Sequence, residues 1–152
     1  MNVEFREATI EDLPAVVRLL ADDFLGQQRE HLEDPLPESY VVAFREIQAD
    51  RNNHLIVAVM GDVVIGTLQL TFTPSISFRG GKRATVESVR VDEKLRGKGI
   101  GRELMLWAIE RARREGCIAM QLTTHAEREA AHRFYENLGF KKSHLGMKLS
   151  LI

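Results

Sequence analysis

A mixed α/β fold, one sheet with helices on both faces, is what this sequence predicts. Three observations carry the expectation. Short apolar strands alternate with amphipathic helical stretches through the second half. A strand–turn–strand hairpin occupies the middle. The 152 residues, 44% of them hydrophobic, are the size of one domain with a real core. Residues 1–152 are therefore read as a single domain.

Residues 3–6 alternate in polarity and predict a first strand. Thr9-Ile10-Glu11-Asp12 has the form of a helix cap, with an acid three positions after Thr9. Leu13, Val16, Val17, Leu20 and Phe24 then recur along one helical face, with Gly26 as the stop. Residues 26–38 hold Gly26, His31, Asp34, Pro35 and Pro37, and predict a loop or short irregular helix. Ser39 is the expected cap of a second helix that turns Tyr40, Phe44 and Ile47 inward. Residues 54–60 and 63–72 read as strands joined at Gly61-Asp62. In the second of them Leu68, Leu70 and Phe72 share one face, and Gln69 and Thr71 the other. Residues 74–82 are a loop and 83–91 a strand. Ile100, Leu104, Trp107, Ala108 and Ala112 form the inward stripe of a helix that Gly116 ends. A strand at 118–124, a helix at 127–138 closed by Gly139 and a last strand at 140–149 complete the chain.

Composition excludes several classes of function. A net charge of −1 provides no bulk attraction to nucleic acid or to an anionic membrane. The single cysteine, Cys117, excludes an internal disulfide and a cysteine-based metal cluster. No apolar run approaches the ~20 residues that span a bilayer, and the first residues lack the pattern of a signal peptide. A cytoplasmic location is the expectation. The histidine spacing contains no His-Glu-x-x-His, so no metal is expected.

Between the strand ending in Val89-Arg90-Val91 and the helix opening Arg102-Glu103-Leu104 lies Arg96-Gly97-Lys98-Gly99-Ile100-Gly101. A glycine-bearing turn at a helix entry presents unpaired N–H groups at the positive end of the helix dipole, and so suits an anion. A nucleoside-triphosphate loop would need Gly-Lys followed by Ser or Thr, but Gly101 is followed by Arg102-Glu103. A dinucleotide fingerprint would need a third glycine, where Arg102 stands, and an acid roughly 20 residues on; the next strand instead ends in Thr123-Thr124.

The pattern Arg96-x-x-Gly99-x-Gly101 resembles the coenzyme A motif of the GNAT acetyltransferase family. Downstream, Ala131-His132-Arg133-Phe134-Tyr135-Glu136-Asn137-Leu138-Gly139-Phe140 resembles that family's second motif, at a typical distance. The likeness covers roughly residues 55–150; the first 50 match in pattern only. It implies a mostly antiparallel mixed sheet of six to seven strands with about four helices. It also implies acetyl-CoA as cosubstrate and direct transfer of acetyl to the primary amine of a small molecule. Arg96, Gly97, Lys98, Gly99, Ile100, Gly101 and Arg102 would hold the pyrophosphate. The strand Val89, Arg90 and Val91 would hold the pantetheine arm, with the Val91 N–H toward the thioester oxygen. Phe134 and Arg128 would complete the coenzyme site, Arg128 standing where many family members carry asparagine.

Two catalytic residues are expected. Tyr135 is the acid for the departing thiolate: consecutive helical residues point about 100° apart, so a core-facing Phe134 leaves Tyr135 at the core's edge. Its competing role is packing. Glu87 is the base, because a free alkylamine with pKa near ~10 is almost wholly protonated at neutral pH. Even spacing places Glu87 on one face with Val89 and Val91. Its competing role is an ion pair with Arg83 or Arg90, and a water-bridged His125 is the alternative base. His31, Asp34, Gln69, Thr71 and His144 are weaker acceptor-site candidates. Arg111, Arg113 and Arg114 complement a helix dipole. Cys117 has no paired base, which argues against an acyl-enzyme.

Two other readings stand beside this one: a non-catalytic acyl-CoA-binding module, and a lysine or N-terminal acetyltransferase acting on proteins. Within the family, Arg113-Arg114-Glu115-Gly116, Leu122-Thr123-Thr124, Ala131-His132-Arg133-Phe134-Tyr135 and Ser143-His144 bear a looser resemblance to aminoalkylphosphonate N-acetyltransferases. Dimerisation is common for such a fold, so a homodimer is compatible with it.

Overall fold

A computed structural model of the chain describes residues 2–23 and 25–152. In chain order the elements are β1 (Val3–Glu7), α1 (Leu13–Ala21), α2 (Gly26–Arg29), α3 (Glu38–Ala49), β2 (Asn53–Met60), β3 (Val63–Thr73), α4 (Ser77–Gly80), β4 (Lys82–Val91), α5 (Ile100–Arg114), β5 (Cys117–Leu122) and α6 (Glu129–Asn137). Single 3-10 turns lie at Ile10–Asp12 and Glu93–Leu95. The strands form one sheet in sequence order. β1 to β4 pair antiparallel, and β5 joins β4 in parallel after the α5 crossover.

The α1 entrance is tied as the sequence suggests. Asp12 accepts the Thr9 N–H at 2.8 Å and pairs with the Arg6 guanidinium at 2.7 Å. Two cores flank the sheet. On one face Ile56, Leu68, Leu70, Phe72, Ala84 and Val86 pack with Leu104, Met105, Ala108 and Ala112 of α5. On the other, Val57, Val59 and Val64 pack with Val16 and Leu19 of α1. Burial of each large aliphatic side chain is worth about 1.5–3 kcal/mol. The alternation along β3 is realised, with Leu68, Leu70 and Phe72 buried and Gln69 and Thr71 half-buried.

Several expectations are corrected. Among the described residues the sheet has five strands, not six to seven, and there are six helices rather than about four. The two extra helices, α2 and α4, are single turns of four residues. Residues 140–149 form no strand: they alternate as a strand would, but no neighbour pairs with them among the described residues. Gly26 does not stop α1, which ends at Ala21; it opens α2. A Cβ there would stand 1.9 Å from the Leu20 carbonyl oxygen, so a close backbone approach selects the glycine. Ser39 lies inside α3, because Pro37 makes the turn into that helix as its N-cap. Within the helices, Leu19 and Met105 are buried where neither was expected, and Trp107 is only half-buried. Phe24, placed on the α1 stripe by its spacing, lies outside the described residues.

Two irregularities position the site. In β4, Gln69 faces Glu87 while Thr67 faces Arg90, so Ser88 and Val89 oppose the single residue Leu68. Ser88 absorbs this bulge with φ of 55°. On the other side of β4, pairing with β5 ends at Val86–Leu122, although β4 itself runs on to Val91. The two parallel strands therefore part, leaving residues 87–91 with an edge that no strand occupies among the described residues.

Candidate active site

The open edge of β4 leads directly into the glycine turn. Gly97 and Gly99 have φ of 78° and 83°, conformations that glycine reaches without strain, and a Cβ on either would meet nothing within 4 Å. Gly99 is the N-cap of α5, whose 15 residues project their first N–H groups toward this open space. Arg96, Lys98 and Arg102 are exposed around it, whereas the Ile100 side chain is buried and presents only its backbone. The turn has the shape, charge and free donors to hold a pyrophosphate.

Gly101 makes the second junction. A Cβ there would lie 3.5 Å from both Phe134 and Val91, so the end of β4, the first turn of α5 and α6 meet at this point. Phe134 packs against the core, and its ring meets Tyr135 edge-on at 5.1 Å. Tyr135 also meets Phe140 at 5.9 Å. Burial raises the Tyr135 pKa, outweighing the opposite pull of Arg90 and Arg128, so the phenol holds its proton more firmly than an exposed tyrosine.

The bulge at Ser88 changes the geometry expected of Glu87. An extra residue reverses the in–out alternation. Val86 and Val89 thus both pack on the α5 side, and Val91 joins Ile65 and Ile100 there. Glu87 lies on the opposite face, opposite Gln69. Glu87, Val89 and Val91 do not share a face. Glu87 is exposed, and among the described residues it forms no ion pair with Arg83 or Arg90.

Arg90 is turned to the Glu87 face, where it enters a cluster that the sequence did not announce. Asp23, at the end of α1, accepts the Gly26 N–H at 2.6 Å, pairs with Arg128 at 2.6 Å and lies 3.6 Å from Arg90 Nε. All three side chains are largely buried, with relative exposures of 13% for Asp23, 14% for Arg90 and 22% for Arg128. Burial opposes ionisation of Asp23, but the Gly26 N–H and the two arginines together hold its carboxyl below the ordinary value. Burial also lowers the Arg90 pKa, reinforced by Arg128 and relieved in part by Asp23. Arg90 Nε has no hydrogen-bond partner among the described residues. Two guanidinium groups thus share one carboxylate, an excess of positive charge close to Tyr135. No local sequence pattern could have identified Asp23, since the contact joins α1 to β4 and α6.

The remaining candidates separate. Gln69 donates to Asn53 Oδ1 at 2.9 Å on the same face as Glu87. Beside it an apolar cleft runs under α1 and α3, lined by Val17, Leu20, Tyr40, Phe44 and Leu55. Thr71 contacts the same Asn53 oxygen at 3.5 Å. The His31 N–H donates to Tyr40 Oη at 2.9 Å, and that hydroxyl donates to Glu30 at 3.0 Å, which ties the loop after α2 to α3. Asp34 is exposed. His125 Nδ1 accepts the Glu127 N–H at 3.2 Å and so shapes the loop before α6. His144 is exposed and contacts Ser143 at 2.6 Å. Among the described residues no group of three or more His, Cys, Asp or Glu is placed to hold a metal ion, and no helix is long and apolar enough to cross a membrane.

Comparison with known proteins covers nearly the whole chain. The family model described as "Acetyltransferase (GNAT) family" matches residues 13–140. An aminoalkylphosphonate N-acetyltransferase of Salmonella typhimurium is 29% identical over 141 residues, 93% of this chain and 86% of that protein. An L-methionine sulfoximine/L-methionine sulfone acetyltransferase of Pseudomonas aeruginosa is 30% identical over 146 residues, 94% of this chain and 83% of that protein. A crystal structure described as a transcriptional regulator from Bacillus halodurans C-125 superposes with a TM-score of 0.96 at 54% identity, covering 99% of this chain and 100% of that one.

Proposed function

Because the chain belongs to the GNAT acetyltransferase family and is an acyl-CoA-dependent N-acetyltransferase, we propose that it transfers acetyl from acetyl-CoA to the primary amine of a small acceptor that also carries an anionic group. One observation carries the proposal: the parting of β4 from β5 at Val86–Leu122 opens between a basic glycine turn on one side and the Arg90–Asp23–Arg128 cluster on the other.

In this reading the coenzyme lies along the free edge of residues 87–91. The α5 N-terminal amides with Arg96, Lys98 and Arg102 hold the pyrophosphate, and the Val89 and Val91 backbone groups align the pantetheine arm. The Val91 N–H donates to the thioester oxygen as charge develops on it. Arg90 contributes its backbone to that strand, but its side chain faces the acceptor. Arg128 holds Asp23 and adds positive charge to the acceptor side. Phe134 supports the turn through Gly101 rather than binding coenzyme through its own face.

The acceptor enters from the Glu87–Gln69 face. Its anion is drawn to the unbalanced charge of Arg90 and Arg128, while its amine is deprotonated by Glu87, directly or through water. The neutral amine attacks the thioester carbonyl, the C–S bond breaks as Tyr135 gives its proton to the departing thiolate, and the proton released from the acylated nitrogen restores Tyr135 through solvent. The named substrates of the Salmonella and Pseudomonas relatives, an aminoalkylphosphonate and an amino-acid analogue, fit an amine joined to an anionic group.

A free-thiol assay with acetyl-CoA tests this directly. The acceptor panel contains aminoalkylphosphonates, amino acids and their sulfoximines, and neutral-tailed alkylamines. Turnover is expected with the anionic amines and not with the others, and Arg128→Ala is expected to raise the acceptor KM at least tenfold. Equal turnover of neutral and anionic amines would remove the anionic-acceptor reading. No thiol release with any amine, together with no thermal shift on coenzyme A, would remove the whole proposal.

A further inference from the structure

The apolar cleft beside the proposed acceptor site takes no part in the acetyl transfer itself. It lies between Val17 and Leu20 of α1, Tyr40 and Phe44 of α3, Leu55 of β2 and Gln69 of β3, with a volume of about 150 Å³. Val17 and Phe44 are 1% and 2% exposed, so its walls belong to the core. An apolar cavity of about 150 Å³ admits a group as large as benzene. Both polar side chains that line it are already engaged. The Tyr40 hydroxyl bonds Glu30 and the His31 N–H, and the Gln69 amide donates to Asn53. The cleft therefore suits an apolar occupant.

Its position relative to the charged groups is fixed by register. Leu55, Gln69 and Glu87 are direct cross-strand neighbours on β2, β3 and β4. From Glu87 the cleft thus lies across the sheet, with Gln69 between them and Leu55 two strand spacings away, about 10 Å. The Gln69 amide is drawn to Asn53 on β2, away from β4. Arg90 lies in another direction, along β4 past the bulge at Ser88. Asp23, which holds Arg90 and Arg128, follows Leu20 of the cleft by three residues. One step runs along a strand and the other across strands, so carboxylate, cationic cluster and cleft form a triangle rather than a line.

A carbon that carries an amine, an anion and an apolar arm can meet three such points in one hand only. We propose that the acceptor is of this kind: its amine and its carboxylate or phosphonate share one carbon with an apolar arm no larger than a phenyl ring. The amine lies toward Glu87, the anion toward Arg90 and the arm in the cleft, and one enantiomer is acetylated. This rests on the acceptor site proposed above, where Glu87 and Arg90 keep their roles.

Thiol release from acetyl-CoA by the wild-type protein tests it along two series. One is glycine, alanine, 2-aminobutyrate, norvaline and norleucine; the other is the matching 1-aminoalkylphosphonates, and comparing the two identifies the anion. Each methylene buried in the cleft is expected to raise kcat/KM about fourfold. Glutamine, with a polar arm of similar length, is expected to fall well below norleucine. The two enantiomers of norleucine are expected to differ by roughly tenfold or more. Ala43 is exposed and lines the cleft from α3. Ala43→Phe, checked by thermal unfolding, is expected to lower the ratio of kcat/KM for norleucine to that for glycine by roughly tenfold. A flat series among amines that do turn over, equal rates for the two enantiomers, or an unchanged ratio in a folded Ala43→Phe would overturn the cleft's role and leave the anionic-acceptor reading in place. Thiol release with none of these amines would remove that reading, and this one with it.

Discussion

Tyr135, the acid proposed above, shows what burial does to a phenol. Desolvation makes its phenolate costly, while Arg90 and Arg128 only partly offset this, so the acid form persists above the ordinary tyrosine range. A proton donor that must be protonated loses function only as pH rises through that raised pKa. The alkaline limb of kcat assigned to Tyr135 should therefore fall at higher pH than an exposed tyrosine would give. Tyr135→Phe should lower kcat by about 10²–10³-fold and leave the coenzyme A thermal shift intact; unchanged turnover would remove Tyr135 as the acid. Asp12 gives the corresponding stability prediction. The Arg6 hydrogen bond, against the cost of burial and with help from Thr9, depresses its folded pKa. A depressed carboxyl contributes stability above its unfolded pKa of about 4, and that contribution is lost as pH falls through the folded value. Asp12→Asn should cost about 1 kcal/mol at neutral pH and flatten the acid side of the stability curve, as read by urea titration at several pH values. Tyr135 and Glu87 were legible as candidates from their places beside the two motifs. Asp23 was not, because its importance comes from Arg90 and Arg128, which the chain brings to it from distant positions.

At the scale of elements, the glycine turn and the bulge place the residues of the proposed site. The turn was legible because positive φ at a helix entry selects glycine, and glycine leaves a mark in the sequence. Gly99→Ala should cost about 1 kcal/mol of stability and raise the KM for acetyl-CoA roughly tenfold, about 1.4 kcal/mol, as the added methyl intrudes on the phosphate site. The bulge was not legible, because its positive φ falls on Ser88, a residue at home in ordinary strands. Strict alternation therefore put Glu87 on the wrong face relative to Val89 and Val91. Relieving the strain gives a signed test. Ser88→Gly should be neutral or stabilising by up to about 1 kcal/mol, and Ser88→Val should destabilise by about 1–3 kcal/mol, both from thermal unfolding. A destabilised glycine variant would mean that the Ser88 side chain, not its backbone, holds the bulge.

Across the whole molecule α5 is the member that the sheet and the site share. Its N-terminus opens at the glycine turn, while Leu104 and Met105, both 0% exposed, are seated in the main core. Leu104→Ala should cost about 2–5 kcal/mol, with the thermal midpoint falling in step and coenzyme affinity weakening as the turn loses its support.

The sequence by itself determined the class of fold, the order of strand, turn and helix through the second half, the glycine turn at the α5 entry and the family motif around Tyr135. Each of these is local: a hydrophobic period, a glycine with a required φ, or residues a few positions apart on one element. Only the tertiary structure decided that β4 and β5 part after Val86, that Glu87 and Arg90 look one way and Val89 the other, and that two arginines converge on Asp23. It alone left residues 145–151 without a sheet of their own. These features depend on register, on burial and on which distant elements meet.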